Sequence, residues 1–216
     1  VDRTGTPPEG SQEGVRFGYL GDRFEYSVSF FEGFNHLPDI QLENAGPGQP
    51  APPLIEYQRV YPRIRVYGFD SEMPNRWFTL KGEVAYFTAP TGSTDEYVLY
   101  VVQLERRVGE WSLIAGYAGD VVTNQRVILS FNPDRLISDS IMARVAYTID
   151  PNRSIEFEGL VRRDGAGAYG SIEYTQAYGR HWRATITAIA PGGSRVDFLG
   201  QYSPNSHVVA KGGDSF

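Results

Sequence analysis

Serine, histidine and carboxylate residues stand close together in the sequence at two places: Ser206 beside His207, and His36 three positions before Asp39. These are the residue types from which a hydrolase assembles a nucleophile, a base and a group that orients the base. Neither place supplies all three in a motif, so the sequence reads as that of a protein that is not an enzyme. The three histidines, His36, His181 and His207, lie too far apart for a metal-binding motif. The chain has no cysteine, which excludes disulfides and a thiolate metal site. Neither a metal nor a cofactor is expected. A net charge of -6 argues against a nucleic-acid surface.

Charge appears instead in the middle of strand-forming sequence. Residues 76–90 read RWFTLKGEVAYFTAP, with Lys81 and Glu83 at the centre. Successive residues of a strand point to opposite faces, so Phe78, Leu80, Gly82, Val84 and Tyr86 share one side and Trp77, Thr79, Lys81, Glu83 and Ala85 the other. In a soluble sandwich the greasy face meets a core and the charged face meets water. In a membrane barrel the greasy face meets lipid and the charged face a lumen.

Strands must hold these residues, and the same two-faced pattern predicts eleven, over 15–19, 25–34, 62–69, 76–90, 96–107, 110–121, 140–149, 154–163, 168–178, 181–190 and 207–216. The strand at 62–69 sets Ile64, Val66 and Gly68 against Arg63, Arg65 and Tyr67. The 24 glycines and 14 prolines fit frequent turns. No stretch approaches the 18 apolar residues of a membrane-spanning helix. Every second connection is tight, at 20–22, 73–75, 108–110, 150–153 and 178–180, whereas most of those between are longer and looser. Membrane barrels sort their turns in this way and sandwiches have no reason to. The fold expected is therefore all-β, an antiparallel transmembrane barrel of up-and-down strands forming a single domain over 1–216, with 1–14 as an outer loop or linker.

The strand pattern from about Val15, the sorted turns, the stretches DEYVLYVVQLER and YTIDPNRSIEFEGLVR, and the terminal Phe216 resemble bacterial outer-membrane β-barrels of a porin-like group, and the chain resembles their C-terminal portion. The resemblance implies a bacterial outer-membrane location, membrane lipid around the wall and Phe216 as an assembly signal. Phe78, Leu80, Val84, Val102 and Ile186 would then face lipid. Arg63, Arg65, Lys81, Glu83, Glu105, Arg144, Glu156, Glu158, Arg162, Glu173 and Arg183, joined by Glu25, would line a polar lumen in which the two signs balance. Trp77, Tyr86, Trp111, Tyr117, Tyr147 and Trp182 would form interfacial girdles.

The function implied is a passive channel or transport conduit. The alternatives are a scaffold barrel that binds a partner protein or presents loops, and a soluble β-sandwich or lipocalin-like binder. The Pro/Gly-rich segment 35–61 reads as a surface binding loop, an inward constriction or a solvated loop. Single-chain barrels have an even number of strands, so eleven suggests strands missing before Val1 or supplied by another chain that completes or plugs the barrel. The rival explanation is an unrecognised crossing at QRVILSF, residues 125–131.

Overall fold

The computed structural model describes residues 2–3, 10–36, 38–43, 56–90, 94–125, 130–131, 139–163, 165, 167–179, 181–195 and 199–214. The strands are β1 (Asp2–Arg3), β2 (Glu13–Leu20), β3 (Glu25–Phe34), β4 (Asp39–Glu43), β5 (Glu56–Val60), β6 (Arg63–Pro74), β7 (Thr79–Thr88), β8 (Glu96–Val108), β9 (Trp111–Asn124), β10 (Ser130–Phe131), β11 (Ser140–Asp150), β12 (Arg153–Arg162), β13 (Gly167–Tyr178), β14 (Trp182–Gly193) and β15 (His207–Asp214), with one 3-10 turn at Gly200–Asn205. Eleven of them form one sheet in the order β15-β14-β13-β12-β11-β9-β8-β7-β6-β3-β2. Every neighbouring pair in it is antiparallel. The eleven strands read from periodicity are these eleven, because each keeps its alternation through the whole crossing.

The four remaining strands make a small sheet in the order β1-β5-β4-β10. Two of them, β4 and β5, lie in the segment read as a loop. Its glycines, and its prolines other than Pro38, fall between the two strands and mask them as a hairpin. At QRVILSF, Ser130 and Phe131 pair with Gln41 and Ile40 of β4, so this stretch adds no crossing to the main sheet. Phe216 and most of residues 1–9 lie outside the described residues.

Local chemistry places the turns. Gly109, at φ 56°, and Gly179, at φ 64°, occupy left-handed backbone that a side chain would strain. Between β11 and β12 the Asp150 carboxylate accepts the Asn152 amide at 2.8 Å and the Arg153 Nε at 2.7 Å, closing the Pro151-Asn152 corner. The β2–β3, β6–β7, β8–β9, β11–β12 and β13–β14 connections hold two to four residues each and all fall at one end of the sheet, here the short-turn end. The connections at the opposite, loop end run up to 28 residues, between β3 and β6.

A core is nearly lacking. Among the described residues the buried hydrophobic ones are Ile64, Ala89 and Ala118. The accessible surface is 15038 Å², against about 10,000 Å² for a compact protein of this mass. The large apolar side chains that a soluble sandwich would bury against a second layer are instead exposed, and the registers place nearly all those in the main-sheet strands on one face: Phe17 and Val28, Phe69 and Val84, Val102 and Leu104, Ile141, Phe157 and Ile186.

Candidate functional site

The other face of the same sheet carries the charge. Lys81 stands opposite Glu72 across β6–β7, and its Nζ lies 3.3 Å from Glu72 and 3.1 Å from Glu105 on β8. Arg107 approaches the second oxygen of Glu105 at 3.5 Å. Toward the β2 edge, Arg16 grips Asp70 through one guanidinium nitrogen at 3.0 and 3.2 Å and donates its Nε to Ser27 at 2.8 Å, while the Ser27 hydroxyl donates to Asp70. Further along, Arg144 meets Glu156 at 2.6 Å and Glu173 accepts the Thr187 hydroxyl at 2.9 Å. Two adjoining grooves of about 450 and 480 Å³ lie over Arg16, Asp70 and Glu83.

Of the eleven residues read as lumen-lining, nine lie on this face: Lys81, Glu83, Glu105, Arg144, Glu156, Glu158, Arg162, Glu173 and Arg183. Arg63 and Arg65 do not. Register carries them, with Tyr67 and Phe69, to the apolar face, opposite Phe34, Glu32, Phe30 and Val28. There Arg63 and Arg65 pair with Glu32 at 3.1 and 2.9 Å, and Ile64, read as outward, points inward and is buried. β6 runs five residues past the expected end at Phe69, and the added stretch sets Ser71 and Met73 against Asp70 and Glu72. Read to Pro74, the alternation gives the observed facing; cut at Phe69, it inverts.

This also changes the charge count. With Arg63 and Arg65 moved and Arg16, Asp70, Glu72, Arg107, Asp120 and Lys211 brought in beside the expected residues, the described strands present nine carboxylates and seven cations on the charged face. The face is acidic where balance was expected.

Leu80, Val84, Val102 and Ile186 lie on the apolar face, exposed by 37, 38, 47 and 52%. Phe78 stands in the turn before β7, where its carbonyl accepts the Asn75 amide at 2.8 Å. The aromatic residues sort into two belts. Tyr19, Tyr26, Trp77, Trp111, Tyr147, Tyr178 and Trp182 ring the short-turn end, with the Trp111 and Tyr147 centroids 4.6 Å apart. Phe30, Tyr67, Tyr86, Tyr100 and Tyr117 lie toward the loop end. Trp111 and Tyr117 are six residues apart on β9, about 20 Å at the rise of a strand.

The hydrolytic candidates do not converge. The Ser206 hydroxyl donates to the Ser203 carbonyl at 3.2 Å and His207 Nδ1 lies 2.6 Å from the Asn205 carbonyl. Asp39 is buried while His36 is exposed. Among the described residues no cluster of histidines and carboxylates could hold a metal ion.

No family model and no curated protein matches the chain. Among solved structures it is similar to the outer membrane phospholipase of Salmonella typhi, crystallised as a dimer with bound calcium, at 10% identity and a TM-score of 0.45, over 94% of this chain and 76% of that one. It is similar at 11% identity, with the same TM-score and coverage, to outer membrane phospholipase A from Escherichia coli. The expectation that the chain is not an enzyme is corrected here, since both matched proteins are phospholipases. At this identity and TM-score the likeness assigns no activity to the chain.

Proposed function

We propose that the chain forms the wall of a β-barrel in a bacterial outer membrane, its apolar face against lipid and its charged face lining a polar conduit for solutes. The reading rests on one observation: large apolar side chains stand exposed on one face of a single-layered sheet whose other face holds the ion pairs. Water would not tolerate so large an apolar surface on a monomer, whereas in lipid this facing is what a barrel needs. The eleven crossings of 8 to 14 residues suit strands tilted through a bilayer.

β2 and β15, at the two edges of the sheet, run in the same direction. Antiparallel closure between them takes an odd number of further strands, the first and last of them opposite in direction to β2 and β15, since lipid does not tolerate unpaired backbone groups at an edge. Another chain offering such a strand is one source of it that this reading allows.

The test is reconstitution into planar bilayers. Stepwise conductance supports the conduit. Insertion without steps, proved by detergent dependence and heat-modifiable mobility, would leave the wall and remove the conduit, favouring a scaffold that presents its loops. A monodisperse preparation without detergent would overturn the membrane assignment itself.

A further inference from the structure

Two arginines at the short-turn end share one indole ring. The Arg76 guanidinium carbon lies 5.2 Å from the Trp77 ring centroid and that of Arg106, across from the β6–β7 turn on β8, lies 5.8 Å from it. Trp77 is 58% exposed. Among the described residues neither guanidinium has a carboxylate within ion-pair distance, whereas Arg16, Arg63, Arg65, Lys81, Arg144 and Arg153 each have one. Arg106 follows Val102 and Leu104 on the apolar face, where Leu104 stands opposite Leu80 on β7 and Leu80 opposite Met73 on β6.

Two cations held near one another without a counter-ion repel, and the π face of the indole offsets only part of that repulsion. A ligand that is anionic at the level of the aromatic belt and apolar below it would satisfy the whole cluster. Free anions lack the second property and a membrane phospholipid has both. We infer that Arg76, Trp77 and Arg106 form a binding site for the phosphate headgroup of an anionic phospholipid, whose acyl chains lie along Met73, Leu80 and Leu104. The inference rests on the membrane reading above. It goes beyond that reading by selecting one lipid class at one place on the wall.

The test uses the full chain with Trp111 and Trp182 replaced by phenylalanine, leaving Trp77 as the reporting indole, in mixed vesicles where either phosphatidylglycerol or phosphatidylcholine carries a headgroup quencher. Quenching is expected to favour labelled phosphatidylglycerol, and each of Arg76→Gln and Arg106→Gln is expected to weaken that preference about fivefold, the effect of one cation at an anionic surface. Heat-modifiable mobility of the same variants shows that they still insert. Equal quenching by the two lipids, or a preference unchanged in the double variant, would overturn the site while leaving the membrane wall intact. Loss of the preference in ~10 mM inorganic phosphate would show that the ion alone is recognised and would overturn the lipid assignment.

Discussion

The ammonium of Lys81 lies 3.1 Å from the carboxylate of Glu105 on the neighbouring strand, and 3.3 Å from that of Glu72 on the other side. One cation therefore ties three strands across the charged face. Asp70 and Glu83, by contrast, oppose each other directly across β6–β7 with like charge. Arg16 answers Asp70, and Glu83 makes no ion pair among the described residues.

Lys81→Met leaves two carboxylates without their shared partner. Exposed pairs are worth up to about 1 kcal/mol each, and both pairs are lost together, so a destabilisation of about 1–2 kcal/mol is expected. Urea unfolding in detergent micelles, followed by tryptophan fluorescence, measures it. Glu83→Gln, which relieves the like-charge contact with Asp70, is expected to stay within about 0.5 kcal/mol of the parent or to stabilise. A larger loss from Glu83→Gln than from Lys81→Met would refute this account of the network.

Val84 sits midway along β7 on the apolar face, one residue from Glu83. On the proposed reading Val84→Arg places a charge in lipid near the bilayer centre and is expected to cost about 2–4 kcal/mol. The same unfolding experiment should rank it well above Glu83→Gln, and equal penalties would mean that the two faces have been exchanged.

Phe69 and Asp70 are neighbours whose facing decides the register of β6. With Phe69→Cys and Asp70→Cys in reconstituted vesicles, a lipid-soluble maleimide is expected to modify position 69 and a charged, membrane-impermeant one position 70. The reverse pattern would restore Arg63 and Arg65 to the charged face.

At the short-turn belt Trp111 and Tyr147 pair across β9–β11 with ring centroids 4.6 Å apart. Trp111→Leu keeps an apolar side chain but removes the ring contact, and is expected to cost about 0.5–1.5 kcal/mol. Tyr147→Leu in the Trp111→Leu background should then cost clearly less than it does alone, because the partner ring is already gone. Additive losses would show that the rings stabilise their strands independently.

What could be read from sequence and what could not divide along physical lines. Strand positions were legible because each crossing must keep one face apolar over its full height, and Tyr26-Val28-Phe30 or Ile155-Phe157-Gly159 repeat that rule without interruption. Facing was legible wherever charge fell in mid-strand, as at Lys81 and Glu83. It is not legible at Arg63 and Arg65 because the rim above the aromatic belt admits charge on either face, so the facing of this strand is carried by Asp70 and Glu72 instead. The β4–β5 hairpin was hidden by the prolines between its strands. The cluster around Trp77 was beyond sequence altogether, since Arg106 reaches the ring from another strand and only register brings it there.

The alternation of short turns and long connections also bears on how the sheet is assembled in time. Most strands pair with a neighbour two to 15 residues away along the chain, so their hairpins close locally and early. Between β3 and β6 the chain must instead close 28 residues, which costs about 2 kcal/mol more in chain entropy than a two-residue turn. Joining the β2–β3 hairpin to the nine-strand meander is therefore expected to be a late step of folding. Lengthening this connection should retard the final step while leaving the meander's own formation untouched.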